Sequence, residues 1–111
     1  MAAFLISDVT VRDSQAFQIY RTRAAASITK HGGKYLVRGG EFQVLEGSWS
    51  PRTIIIVEFP SMELAKAWYR SPEYAFALEV RDAALNRNLV LVDGIGEAKI
   101  DSQEPSGQFR S

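Results

Sequence analysis

The period at which apolar residues recur changes along the chain, and each change predicts an element of secondary structure. Residues 3–9 are rich in β-branched and aromatic side chains, which predicts a strand. Asp13 suits the cap of a helix whose apolar residues recur at helical spacing up to the glycine pair at 32–33. Residues 34–38 predict a short second strand, and residues 41–46 are expected to extend it.

The same order of elements recurs in the second half of the chain. Residues 53–59 predict the strongest strand, and Ser61 suits the cap of a helix that restarts at Pro72. A turn is predicted at residues 86–88 and a last strand at residues 89–92. The order β-α-β-β-α-β predicts a ferredoxin-like α+β sandwich with an antiparallel four-stranded sheet.

Both faces of this predicted sheet are apolar when alternate strand residues are assigned to opposite faces. The uncharged face, which suits packing under the helices, contains Ala3, Leu5, Ser7, Val9, Tyr35, Val37, Ile55, Val57, Phe59, Val90 and Val92. The other face, apolar with one charge near each strand end, contains Phe4, Ile6, Asp8, Leu36, Arg38, Ile54, Ile56, Glu58, Leu89, Leu91 and Asp93. A solvated face would alternate apolar with polar residues. We therefore predict a homodimer, a dimeric α/β barrel, with a shared cavity at the interface.

The length and composition of the chain limit the number of domains and the kinds of functional site that it can contain. A chain of 111 residues supports one domain. Thirteen Lys and Arg balance thirteen Asp and Glu, which disfavours binding to nucleic acid. The absence of cysteine and the presence of only one histidine exclude disulfides, thiolate nucleophiles and zinc fingers. We expect no cofactor and no metal. If the protein is an enzyme, we expect carboxylates and arginines to be its catalytic groups.

The two ends of the chain carry further predictions. The apolar run at residues 1–8 is too short for the core of a signal peptide and has no basic flank. No stretch approaches the roughly 20 apolar residues that a membrane span needs. We therefore expect a cytoplasmic protein that does not enter membranes. Residues 96–111 are polar and lack periodicity, which predicts a flexible tail after a domain at residues 1–95.

Glu58, Asp8 and Arg38 are the candidate catalytic residues. The strands that carry Glu58 and Asp8 are expected to be parallel neighbours, which places both carboxylates at one end of the cavity, where burial and like charge raise the pKa of one of them. Arg38 is placed to hold a carboxylate or enolate oxygen. The alternative is structural: Glu58 pairs with an arginine, and Arg38 pairs with Glu46 or Glu58 across the dimer.

Aromatic and charged residues elsewhere are candidates for ligand binding. Trp49 and Tyr74 offer flat contact surfaces for an apolar or aromatic ligand, with packing as the alternative. Glu46, Arg52 and Arg81 are candidate polar contacts or ion-pair partners.

Several segments occur in a fixed order along the chain. They are Gly33-Lys-Tyr-Leu-Val-Arg-Gly-Gly40, Val44-Leu-Glu-Gly-Ser-Trp49, Arg52, Val57-Glu-Phe-Pro-Ser61 and Ala67-Trp-Tyr-Arg-Ser-Pro-Glu-Tyr74. Together they make the chain, over about residues 1–95, resemble the family named domain of unknown function 1330. The resemblance implies a dimeric α/β barrel. It also implies a place near a broad superfamily of cofactor-free monooxygenases, isomerases, dehydratases and haem-degrading enzymes, without supplying a reaction.

Two functions from different classes remain open at this point. The first is a cofactor-free enzyme, similar to a monooxygenase, isomerase or lyase, that acts on an apolar or aromatic metabolite. In it Glu58 or Asp8 moves a proton and Arg38 holds negative charge. The second is a non-enzymatic module, a ligand binder or a dimer whose cavity is filled by its own side chains.

Overall fold

The computed structural model describes residues 1–95, and the predicted tail at 96–111 lies outside the described residues. In chain order the elements are β1 (Ala3–Val11), α1 (Ser14–Lys30), β2 (Lys34–Arg38), β3 (Ile54–Phe59), α2 (Met62–Tyr69), α3 (Pro72–Leu78), α4 (Arg81–Ala84) and β4 (Leu85–Asp93). The division into a domain and a tail stays a prediction.

The four strands form one sheet in the order β2-β3-β1-β4, and each neighbouring pair is antiparallel. This confirms the ferredoxin-like α+β fold. It also shows that the expected parallel pairing of β1 with β3 was wrong, because Asp8 lies opposite Ile54 while Glu58 lies opposite Phe4. At about 3.3 Å per residue, the two carboxylates are separated by about 13 Å along the strands. They do not meet at one end of a cavity.

The predicted caps begin the helices. The carboxylate of Asp13 accepts a hydrogen bond from the Ala16 amide at 2.8 Å, and the Ser61 hydroxyl accepts one from Leu64 at 3.1 Å. The predicted second helix is divided into α2, α3 and α4, since the chain turns before Pro72 and again before Arg81.

Two predicted boundaries were wrong. Residues 39–53 contain no helix or strand, so the predicted extension of β2 is a loop instead; we call it the β2–β3 loop. Residues 86–88, predicted as a turn, belong to β4, which pairs with β1 along its whole length. Long-range pairing with β1 overrides the turn preference of the asparagines there.

Trp68 lies at the centre of the core. Its ring packs 4.2 Å from the ring centroid of Tyr74 and 5.5 Å from that of Phe59. Its indole N–H donates to the Ser27 hydroxyl at 2.9 Å, which satisfies the polar group inside the core. One side chain thus joins α1, α2, α3 and β3.

Strand pairing changes which residues share a face in β4. Leu91 lies opposite Leu5 and Leu89 opposite Ser7, and paired residues point to the same side of a sheet. Leu89 and Leu91 therefore pack against the core under the helices, whereas Val90 and Val92 point to the opposite, open face. The assignment made from residue parity was wrong for this strand, because parity alone does not relate one strand to the next.

A bulge between Tyr35 and Val37 also changes which residues of β2 point to each face of the sheet. Before the bulge, Tyr35 packs against the core, as expected. After it, Val37 lies opposite Ile56 on the open face and Arg38 lies opposite Ile55 on the helix side. The extra residue shifts the alternation by one. Arg38 is therefore on the opposite side of the sheet from the one predicted.

The open face remains apolar with this revised membership. It comprises Phe4, Ile6, Val37, Ile54, Ile56, Val90 and Val92, with Asp8 and Glu58 at opposite ends. Val90 is 56% exposed and Val92 45% exposed. Phe42, Val44, Leu45 and Trp49 of the β2–β3 loop are exposed as well.

No helix within residues 1–95 is both long and apolar enough to cross a membrane. The cytoplasmic location stays a prediction.

The close approach of α1 to β3 at Gly33 gives a test of the fold. A Cβ at Gly33 would lie 2.7 Å from the Ile28 side chain and 2.8 Å from the Phe59 ring. We therefore expect Gly33→Ala to lower the free energy of unfolding by about 1–3 kcal/mol, measured by urea denaturation.

Gly40→Ala is the matched control, because nothing lies within 4 Å of a Cβ at Gly40. It should change the free energy of unfolding by about 0.5 kcal/mol or less. Equal effects of the two substitutions would contradict the close packing at Gly33.

Candidate functional site

A cavity of about 240 Å³ lies between the helix side of the sheet and α1. Its interior is mostly apolar, and the residues that form it include Leu5, Val57, Ile28, Ile55 and Trp68. A pocket with apolar walls and a few polar groups is the usual form of a small-molecule site. The cavity belongs to one chain and lies on the opposite side of the sheet from the open face. The predicted shared cavity at a dimer interface is a different site and stays a prediction.

Three arginines reach this cavity from different elements: Arg21 from α1, Arg38 from the end of β2 and Arg87 from β4. The Arg38 guanidinium lies 4.4 Å from the centroid of the Tyr35 ring. Within residues 1–95, no Asp or Glu lines the cavity, and Glu58, Glu73, Glu79 and Asp82 form their ion pairs with other cations. The cavity is therefore lined by positive charge and by no carboxylate of the described chain, which favours an anionic ligand.

A hydrogen-bonded group of two tyrosines and one arginine forms part of the cavity wall. Arg87 donates to the hydroxyl of Tyr20, and that oxygen lies 2.8 Å from the hydroxyl of Tyr74. Tyr20 lines the cavity, whereas Tyr74 is completely buried behind it. Burial raises the pKa of Tyr74, and a nearby Tyr20 charge would raise it further. Tyr74 is therefore a neutral phenol at physiological pH.

Tyr35 is the third tyrosine at the cavity. Burial raises its pKa, and the Arg38 charge partly opposes this effect. Its ring supports the guanidinium of Arg38 at the mouth, an arrangement typical of cation–π stacking.

Asp8 anchors the β2–β3 loop. One carboxylate oxygen accepts from the Arg52 amide at 3.0 Å, and the other accepts from the Trp49 indole N–H at 2.9 Å. These two hydrogen bonds lower the pKa of Asp8, with the backbone amide of Arg52 contributing most. The predicted carboxylate with a raised pKa is therefore not found at Asp8, since hydrogen bonds to the charged form outweigh desolvation.

The other predicted site residues lie outside the cavity. Glu58, on the open face, forms a 4.0 Å ion pair with Lys34, a lysine where an arginine was expected. Glu46 is exposed on the β2–β3 loop. Arg81 pairs with Asp82 at 3.3 Å in a separate polar groove. Of the eight predicted catalytic and binding residues, only Arg38 lines the cavity, with Tyr74 directly behind it.

Sequence reasoning missed Tyr20, Arg21 and Arg87. Helical spacing places Tyr20 among the apolar residues of α1, and residues 86–88, which include Arg87, predict a turn. Arg87 is 67 residues away from Tyr20 along the chain, so the contact depends on the pairing of β4 with β1. If the last strand is extended through residues 86–88, Arg87 lies on the same face as Leu89, because residues two positions apart in a strand point to the same side of the sheet. This alternation is the feature of the sequence that could have placed Arg87 on the cavity side.

No group of three or more His, Cys, Asp or Glu side chains that can hold a metal ion occurs within the described part of the chain.

The sequence profile of the family described as Domain of unknown function (DUF1330) matches residues 2–95. The chain belongs to this family. The match confirms the resemblance, and the matched residues include those of the cavity and the β2–β3 loop. No curated protein matches this chain at a significant level.

Solved structures share the fold of this DUF1330 domain. A protein of unknown function from Rhodopseudomonas palustris superposes with a TM-score of 0.69 at 20% identity, covering 86% of this chain and 83% of that chain. SnoaB, a cofactor-independent oxygenase from Streptomyces nogalater, superposes with a TM-score of 0.60 at 12% identity, covering 86% of this chain and 94% of that chain. At these identities the likeness shows the fold alone.

The pKa shift of Asp8 predicts how the β2–β3 loop responds to acid. The lowered pKa belongs to the folded state, so the anchoring hydrogen bonds are complete above the ordinary Asp range of about 3.9 and are lost as the pH falls through the lowered value. The indole N–H signal of Trp49 in NMR spectra should therefore stay constant near neutral pH and shift only below about pH 4.

Asp8→Ala is the variant for this experiment. It should move the Trp49 signal at neutral pH to the position of a solvated indole and abolish its titration. Trp68, whose indole N–H donates to Ser27, provides an internal control that should not move. A Trp49 signal that titrates equally in Asp8→Ala would contradict the anchor.

Proposed function

We propose that this protein binds a small molecule with an apolar or aromatic body and an anionic group, in the cavity between the sheet and α1. The observation that carries the proposal is an apolar cavity lined by three arginines and, among the described residues, by no carboxylate. Arg87 is half-buried, and Arg21 and Arg38 are exposed, so their charges are available to pair with an anion that enters the cavity. A bound carboxylate or phenolate supplies that anion.

The size of the cavity supports a compact ligand. A cavity of about 150 Å³ accommodates benzene in another protein, and this one has about 240 Å³. One or two fused rings therefore match the space. Leu5, Val57 and Ile55 provide apolar contacts for the rings, while Arg21 and Arg38 contact the anionic group.

A cofactor-free enzyme is the second candidate function. It is supported by the fold shared with SnoaB, a cofactor-independent oxygenase. In this proposal Arg38 stabilises negative charge that develops on the ligand. Glu58 and Asp8 are on the other face of the sheet, so their proposed roles in proton transfer require a ligand held against the open face, together with Trp49 and Arg52 of the β2–β3 loop.

The open face supports the proposal that the protein is a homodimer. Seven apolar side chains share this face, and at roughly 25 cal/mol per Å² their exposure forgoes several kcal/mol. A second copy placed on the face by a two-fold axis covers both sheets at once, and the apolar residues of the β2–β3 loop extend the contact.

The binding proposal predicts a dependence on ligand charge. 2-Naphthoate should bind more tightly than its neutral analogue 2-naphthylmethanol, and the cation 2-naphthylmethylammonium should bind weakest, as measured by isothermal titration calorimetry. Arg38→Gln should lower the affinity for 2-naphthoate about 10-fold, because a hydrogen bond to a charged group contributes about 1.5–3 kcal/mol to the free energy of binding.

Arg70→Gln is the matched control, since Arg70 is exposed and is not among the residues that line this cavity. It should leave the affinity for 2-naphthoate unchanged. Equal binding of the three probes, or equal effects of the two substitutions, would overturn the proposal of an anionic ligand.

The homodimer proposal predicts that a substitution on the open face halves the mass of the particle in solution. Light scattering at micromolar concentration should give twice the mass of one chain for the wild type. Ile56→Lys puts a charge at the centre of the open face, opposite Ile6 and Val37, and should give monomers.

Ile19→Lys is the control, because Ile19 is an exposed apolar residue on α1, away from the open face. It should remain dimeric. A monomeric wild type would refute the dimer, as would a dimeric Ile56→Lys variant.

A further inference from the structure

The fully buried hydroxyl of Tyr74 needs an acceptor for its proton, since an unsatisfied buried hydroxyl is costly. Among residues 1–95, the only acceptor in hydrogen-bond contact with it is the Tyr20 oxygen, at 2.8 Å. Arg87, the third member of the group, has donors only. Satisfying Tyr74 therefore requires that Tyr74 donates to Tyr20.

The same oxygen of Tyr20 also accepts a hydrogen bond from Arg87. A phenol oxygen that accepts two hydrogen bonds still has its own proton to donate. Tyr20 is 8% exposed and lines the cavity, and within the described chain no other acceptor contacts its hydroxyl. The remaining direction for the Tyr20 proton is into the cavity.

We propose that Tyr20 is a specificity-determining residue of the cavity, whose hydroxyl donates a hydrogen bond to an acceptor oxygen on the ring system of the ligand. This inference rests on the proposed binding function and adds to it a second polar requirement. The arginines at the mouth select negative charge, whereas Tyr20 selects a carbonyl or an oxyanion within its reach. An aromatic ketone, a quinone or a ring-bound oxyanion meets this requirement, and a plain hydrocarbon ring does not.

Tyr74 and Arg87 act through Tyr20 as positioning residues. Tyr74 directs the Tyr20 proton away from α3, and Arg87 holds the oxygen from β4. Fixing a donor before the ligand arrives reduces the entropy lost on binding. A site built to donate a hydrogen bond also rejects an isostere without an acceptor, because the donor is then left unpaired.

A neutral pair of probes separates this inference from the charge of the ligand. 2-Acetonaphthone carries a carbonyl acceptor, and 2-ethylnaphthalene has a similar shape without one. The wild type should bind the ketone about 5- to 10-fold more tightly than the hydrocarbon, as expected for one neutral hydrogen bond. In Tyr20→Phe this preference should disappear, with affinities measured by competition against 2-naphthoate fluorescence.

The infrared carbonyl stretch of bound 2-acetonaphthone gives a readout that a merely structural role of Tyr20 would not move. In the wild type the stretch should have the lowered frequency of a hydrogen-bonded ketone. In Tyr20→Phe it should rise towards the frequency found in a hydrocarbon solvent. An unchanged frequency in Tyr20→Phe would overturn the assignment.

Tyr74→Phe tests the direction of the hydrogen bonds independently of how Tyr20→Phe folds. If Tyr74 donates to Tyr20, the Tyr20 proton already points into the cavity, and Tyr74→Phe should keep the ketone preference and the lowered frequency. If Tyr20 donates to Tyr74 instead, Tyr74→Phe frees the proton, and the ketone binds more tightly than to the wild type. This second result would refute the inference.

The binding measurements distinguish a failure of the proposed role of Tyr20 from a failure of the proposed binding function. Binding of 2-naphthoate that depends on Arg38, together with equal binding of the two neutral probes to the wild type, would overturn the role of Tyr20 alone. No binding of any naphthalene probe would overturn both the binding function and the role of Tyr20.

Discussion

The packing of Trp68 beneath α1 is the contact on which the rest of the structure depends. Its ring lies against Phe59 of β3 and Tyr74 of α3, and its N–H is bound by Ser27 of α1. The broken segment from α2 to α4 is thereby held against the sheet although each of its helices is short. The same ring is part of the cavity wall. The space under α1 is thus bounded by the aromatic centre of the core.

The cavity differs from that core in its polar groups. The Ser27 hydroxyl accepts the hydrogen bond of the Trp68 indole inside the core, whereas Arg21, Arg38 and Arg87 line the cavity and no carboxylate of the described chain lines it with them. Arg87 is half-buried and donates to Tyr20, whereas Arg21 and Arg38 are exposed, so three cations line an apolar space with no acid beside them. Local departures of this kind are characteristic of binding sites, where the ligand completes the hydrogen bonding.

The two faces of the sheet have different surroundings, and the bulge in β2 determines which residues of that strand lie on each face. One face packs under the helices and forms the cavity; the other is an apolar surface with the anchored β2–β3 loop at its Asp8 end. The bulge places Val37 on the open face and Arg38 at the cavity, although the two are adjacent in sequence. A single extra residue in β2 thus contributes to both surfaces.

The sequence alone determined the order of the elements, the helix caps at Asp13 and Ser61, the presence of a sheet without a polar face and membership of the family. These properties depend on local periodicity, on short capping motifs and on ordered segments, all of which are read within a few residues. The tertiary structure alone decided which strand residues share a face and which side chains meet. Strand register comes from hydrogen bonds between distant segments, and one bulge in β2 reverses the alternation that follows it. Tyr20, Tyr74 and Arg87 come from three elements far apart in the chain, so their contact, and the cavity beside it, exist only once β4 pairs with β1 and α3 packs against α1.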